Sequence, residues 1–108
     1  MHYEMRTYKI PAGRMDDILE RFRSVTFGLF EKYNMDVVGF WTNTDLEEAY
    51  ELVYLMRYAN PGAQEKAWAA FRDDPEWIAT RQRTEANGPI VDEVISQNLT
   101  PVPFSPMQ

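Results

Sequence analysis

Three side chains suited to acid-base chemistry alternate near the start of the chain: Glu4, Arg6 and Tyr8, within HYEMRTYK over residues 2–9. Alternation is the period of a β-strand, so all three share one face. A carboxylate beside a guanidinium and a phenol can move a proton and stabilise an oxyanion. The same trio can instead form a hydrogen-bond network that holds two subunits in register. Arg57, grouped with Glu4 and Arg6 as a catalytic candidate, closes the run YELVYLMRY on the strand parity of Val53 and Leu55. A guanidinium in such a place needs a carboxylate or a ring of acceptors. Its partner is either a structural one, such as Glu4 or Glu51, or a ligand carboxylate, phosphate or enolate gripped by the arginine fork. Trp41 is a candidate wall for a flat apolar ligand and Tyr54 a candidate hydrogen-bond donor to it. Trp77 and Arg81 stand one helical turn apart, beyond a proline break that leaves room and free backbone amides. Trp68 and Phe71 at helical spacing fit helix-to-sheet packing, and His2 fits a strand-edge position.

Composition removes other chemistries. The chain has no cysteine and one histidine, which excludes a thiolate nucleophile, a disulfide framework and a His-rich metal centre. The acidic pairs Asp16-Asp17, Glu47-Glu48 and Asp73-Asp74 lack the alternating spacing of a calcium loop. No phosphate-binding loop, dinucleotide fingerprint or nucleophile elbow is present, so no cofactor and no metal are expected. A net charge of −6 opposes phosphate-backbone contacts, which makes nucleic acid an unexpected partner. No apolar run approaches the roughly 20 residues of a membrane span and no secretory signal opens the chain, so the expected location is the cytoplasm.

The elements that must position these residues follow from periodicity. His2 to Lys9 predicts a strand, stopped by Pro11-Ala12-Gly13. From Arg14 to Tyr33, apolar residues recur at three- and four-residue steps, with Asp16, Asp17, Glu20, Arg21, Arg23 and Glu31 on other faces, predicting an amphipathic helix. Asn34 is a left-handed stop, and Val37 to Thr42 forms a second strand with Gly39 as a bulge or close-approach point. The polar Asn43 to Glu48 is of hairpin length and returns the chain into a strand over Tyr50 to Tyr58. Asn60-Pro61 and Asp74-Pro75 each pair an N-cap with a proline at the first helical position, predicting one helix that breaks near Asp73 and restarts. It ends at Asn87-Gly88-Pro89, and Ile90 to Leu99 supplies the last strand. Thr100 to Gln108, with three prolines in nine residues, reads as an extended arm appended to a domain over residues 1–99.

The order β-α-β-β-α-β is that of an α+β, ferredoxin-like domain, whose right-handed crossovers put both helices on one face of an antiparallel sheet. Helices cover one face only. A sheet wetted on the other side should alternate apolar and polar residues, yet VVGFWT and LVYLMRY are apolar or aromatic on both parities. A second copy of the sheet, related by a two-fold axis, is the simplest cover.

The segments YEMRTY (residues 3–8), VGFW (38–41), ELVYLMRY (51–58), WAAFRDDPEW (68–77) and the tail pieces LTP and FSP resemble the NIPSNAP family in order and across essentially the whole chain. That resemblance implies a homodimeric α/β barrel, in which two ferredoxin-like protomers pack their sheets together with helices outside. It transfers no catalytic motif residue by residue. The chain is similar to bacterial-type single-domain members rather than to eukaryotic members with an added targeting segment. The expected function is a homodimeric cavity protein that binds a small aromatic or anionic metabolite and carries out a cofactor-independent acid-base step of isomerase, cyclase or lyase type. Glu4, Arg6 and Arg57 would bind and polarise, Tyr8 and Tyr54 donate hydrogen bonds, and Trp41, Trp77 and Arg81 complete the pocket. Two alternatives stand beside it: a non-catalytic protein-interaction module, and a cofactor-independent monooxygenase.

Overall fold

The computed structural model describes residues 1–45 and 50–108. Its four-stranded sheet has the order β2-β3-β1-β4, antiparallel throughout, with β1 (His2–Lys9) central, β3 (Glu51–Tyr58) and β4 (Glu93–Leu99) beside it, and β2 (Asp36–Thr42) at the edge. This is the split βαβ arrangement that the element order predicts. The first crossover is continuous helix made of α1 (Met15–Arg21), a π-helical turn (Phe22–Thr26) and α2 (Phe27–Lys32). The second is α3 (Pro61–Asp73) followed by α4 (Pro75–Thr84). The expected Asn43 to Glu48 connection and its Glu47-Glu48 pair lie in part outside the described residues.

Helix starts behave as their capping residues dictate. Asn60 accepts from Ala63 N–H, and Asp74 accepts from Glu76 N–H while ending α3, because the residue before Pro75 is driven to extended geometry. Asp74 is also bonded by Lys32 and Tyr33, which ties the break to the end of α2. Asn34 takes positive φ just after α2, as expected of a helix stop, whereas Gly88 takes it in the turn beyond α4 and not at the helix end.

Three expectations need correction. Helix α4 ends at Thr84, three residues before Asn87, and the chain then turns through a Gly88 N–H to Glu85 C=O bond. The last strand begins at Glu93, not Ile90. β1 stops at Lys9, whose C=O already receives Asp92 N–H, so Ile90 has no ladder to join and sinks fully into the core. The first helix is not uniformly α. The π-turn, with Phe27 N–H reaching Phe22 C=O, inserts one extra residue and changes the helical phase. Arg21, expected on a polar face, is turned inward and only 6% exposed.

The core lies between sheet and helices: Ile18, Leu29 and Phe30 from the first crossover, Leu52, Tyr54 and Met56 from β3, Phe71 from α3, and Ile90. Among the described residues, no helix covers the opposite face of the sheet. The register places Met5, Val53, Leu55 and Trp41 on it, with Ile95 and Leu99 from β4, and Trp41 is 53% exposed. Gly39 is a close-approach point next to a bulge at Val38: a Cβ there would stand 2.8 Å from the Trp41 ring, which folds back over it. The tail is not simply extended. It turns back through a Ser105 N–H to Val102 C=O bond, and Gln108 C=O accepts from the Tyr3 hydroxyl at 2.9 Å, so the arm seals one corner of the open face.

Candidate functional site

Glu4 is the anchor of the polar cluster on the helix-side face of β1. Its Oε1 accepts from Tyr58 Oη and Trp68 Nε1, each at 2.8 Å; its Oε2 accepts from Arg6 Nη1 at 2.9 Å and Ser96 Oγ at 2.5 Å. A carboxylate offers about four acceptor positions, and all are taken. Burial by itself would raise the pKa, but the hydrogen bonds from Ser96, Trp68 and Tyr58 outweigh it and hold Glu4 at about 2. At neutral pH Glu4 is a fixed anion with no lone pair left for a substrate proton.

Arg6 is held on three sides. Nη1 bonds Glu4, Nε bonds Tyr54 Oη at 2.7 Å, and the guanidinium lies over the Trp68 ring at 4.3 Å. A longer contact at 3.5 Å joins Nη2 to Tyr8 Oη. Three of its five N–H groups are engaged, and the two others have no partner among the described residues. Tyr8 Oη and Tyr54 Oη are 2.8 Å apart. Tyr54 is fully buried and already accepts from Arg6, so its own proton has Tyr8 Oη as its acceptor. The Tyr8 hydroxyl proton is thereby turned away from the protein. Burial, reinforced by Tyr8, pushes the Tyr54 phenol well above the ordinary range, so it remains a neutral relay.

Arg6 and Tyr8 open into a cavity of about 430 Å³ between the sheet and the helices. Phe22, Phe30, Trp68, Phe71 and Trp77 form apolar walls, and Thr26, Arg21, Arg72, Arg81, Glu85 and the stretch Val91 to Val94 complete the lining. The π-turn has a local consequence here. It brings Thr26 to the cavity beside Phe22 and next to Arg21, the last residue of α1, whose C=O accepts from Thr26 Oγ1. The break at Pro75 tilts α4 so that Trp77 packs on Phe71 at 4.8 Å and faces Arg21 at 4.9 Å.

Glu4, Arg6, Tyr8, Trp77 and Arg81 therefore meet around one space, and Tyr54 stands directly behind Tyr8. Arg57 and Trp41 do not join them. Both lie on the helix-free side of the sheet, and Arg57 is paired with Asp36, its cross-strand neighbour, rather than with Glu4 or Glu51. Trp68, assigned to the core by its spacing, is a member of the site through its bond to Glu4 and its ring beneath Arg6. Arg21, Thr26, Arg72 and Glu85 were missed. Arg21 sits three residues after Ile18 on the same α1 face and was passed over because of its charge, while Thr26 is turned inward by the π-turn, which residue types do not announce.

The model of the NIPSNAP family matches residues 3–106. Among solved structures, an uncharacterized NIPSNAP domain protein from Burkholderia xenovorans is 26% identical, with 98% of this chain and 99% of that one covered and a TM-score of 0.82. A NIPSNAP family protein from Agrobacterium tumefaciens is 20% identical over 99% of this chain and 98% of its own, with a TM-score of 0.84. A cofactor-independent oxygenase from Streptomyces nogalater shares the fold alone, at 11% identity, 97% and 96% coverage and a TM-score of 0.61. No curated protein is significantly similar to the chain.

Proposed function

Because the chain belongs to the NIPSNAP family, whose matching structures carry no stated reaction, we propose a function from the cavity itself: a homodimeric protein that binds a small aromatic organic molecule through one of its oxygen atoms. The observation that carries this reading is Arg6. A guanidinium immobilised by Glu4, Tyr54 and Trp68, with two N–H groups left over and the Tyr8 proton beside them, is a preorganised receptor for an oxygen that bears or develops negative charge. The aromatic walls supply the apolar complement.

The same groups support a proton-transfer step without a resident cofactor. Arg6 stabilises the charge on the ligand oxygen while Tyr8 hands its hydroxyl proton to that oxygen, and the phenolate so formed takes the proton from the neighbouring carbon, which restores Tyr8 and leaves the enol; Tyr54, bonded to Tyr8, fixes the direction. Glu4, expected as an acid-base group, holds Arg6 in place in this proposal. Arg57 has no part in ligand binding and contributes to the sheet face that meets the second copy.

Native mass spectrometry of the full chain isolated under mild conditions tests the binding claim. A dimer carrying one reproducible small molecule per protomer is expected, with that mass lost from Arg6→Gln and retained by Arg57→Gln. The opposite pattern would defeat the assignment. For the chemistry, the recovered molecule is returned to the protein in deuterium oxide: exchange at a carbon next to the bound oxygen should be abolished by Tyr8→Phe. Tyr8→Phe should also weaken binding by about 1 kcal/mol, the usual worth of one hydrogen bond.

A further inference from the structure

Arg21 is a buried cation with an incomplete set of partners. Its side chain is 6% exposed, and its Nε is buried with no hydrogen-bond partner among the described residues. The two bonds it makes, from Nη1 to Thr84 Oγ1 and to Glu85 Oε2, are both long at 3.2 Å. Glu85 Oε2 is shared besides: Arg81 Nε donates to the same oxygen, also at 3.2 Å. One carboxylate oxygen thus serves two guanidinium groups. Burial lowers the Arg21 pKa from its ordinary value even with Glu85 opposing it, so the charge is undercompensated. All three residues line the cavity, as does Arg72, and Trp77 lies flat beside Arg21 at 4.9 Å. Asp92 and Glu93 stand on the strand side of the same cavity, so its two lips are opposite in sign.

We infer that Arg21 and Arg81 form a second binding point for a carboxylate carried by the ligand, with Glu85 holding that place until the ligand arrives. The inference rests on the cavity being a ligand site and specifies the ligand's class: an aromatic acid with an oxygen at one end for Arg6 and Tyr8 and a carboxylate at the other. The ligand carboxylate takes the helical lip, where Trp77 flanks it, and Asp92 with Glu93 repels it from the strand lip. Two long bonds shared through one oxygen are replaced by a bidentate pair to Arg21, the geometry in which arginine and carboxylate interact most strongly. Arg21 is then a specificity-determining residue, and Glu85 an internal competitor.

Titration calorimetry of the full chain with 4-hydroxyphenylacetate and with its neutral amide tests this. The acid is expected to bind at least about tenfold more tightly than the amide, the equivalent of one charge-assisted contact. Arg21→Gln should reduce the preference to about twofold or less while amide binding persists. Glu85→Gln should tighten acid binding several-fold and leave the amide unchanged, a gain that a purely structural ion pair between α1 and α4 would not produce. If Arg21→Gln fails to fold, Arg81→Gln and Glu85→Gln still decide the matter. Equal binding of acid and amide, or a preference untouched by these substitutions, overturns the inference while leaving the Arg6 site standing. No binding of either probe overturns both.

Discussion

At the scale of single residues, Glu4 decides what the site can do. Four donors converge on it and hold its pKa at about 2, against 4.5 for the ordinary side chain. A depressed carboxylate pKa adds stability that is complete above pH 4.5 and is lost as the pH falls towards 2. Asp74, held low by Lys32 and Tyr33, acts in the same direction. Thermal melts between pH 2 and pH 6 should therefore show a steep acid limb, flattened in Glu4→Gln and with lower stability at pH 7. An unchanged limb would mean that Glu4 is not the fixed anion described above. The position of Glu4 in the strand period told that it shares a face with Arg6 and Tyr8, but not that Trp68, Tyr58 and Ser96 would saturate it. Those donors come from 54 or more residues away.

At the scale of elements, the two proline-capped starts, the strand alternation and the left-handed stop at Asn34 are local physics, and they lie where the residues place them. Asn60→Ala should cost about 1 kcal/mol in urea unfolding, because the Ala63 N–H loses its acceptor. Gly39→Ala probes a subtler constraint. The new methyl group would stand 2.8 Å from the Trp41 ring and push that indole off the sheet. Trp41 is exposed, so the ring can yield: the expected result is a fold that persists, with a shifted tryptophan fluorescence spectrum and weaker self-association. An unaltered spectrum and an unaltered dimer would show that Trp41 does not depend on Gly39. The π-turn and the early end of α4 were illegible in the sequence. Both are choices of helical phase and length that local propensity does not fix.

At the scale of the whole molecule, one face of the sheet remains apolar and uncovered except where the arm reaches Tyr3. A single layer of helices leaves such a face open, and the proposed homodimer would bury it. Leu55→Glu places a charge at the middle of that face without touching the helix-side core. If the proposed two-fold dimer forms through this face, the variant should be a folded monomer where the parent chain is a dimer, read by light scattering behind size-exclusion chromatography. A dimer that survives this substitution would move the interface elsewhere. The same variant should keep the Arg6 cavity, since that space lies on the helix side of the sheet and is lined by residues of the same chain.

The sequence by itself determined the element order, the helix caps and the shared face of Glu4, Arg6 and Tyr8, because periodicity, capping and turn chemistry act within a few residues. It also marked Trp77 and Arg81 as cavity residues through the proline break. Only the tertiary structure decided which side of the sheet each polar group serves. Arg57 and Glu4 fall on opposite faces because cross-strand register, set over some 50 residues of intervening chain, sets Arg57 opposite Tyr3 and not opposite Glu4. Arg21 enters the site because the face of α1 that buries Ile18 continues through it into the cavity, a placement that its charge alone does not announce.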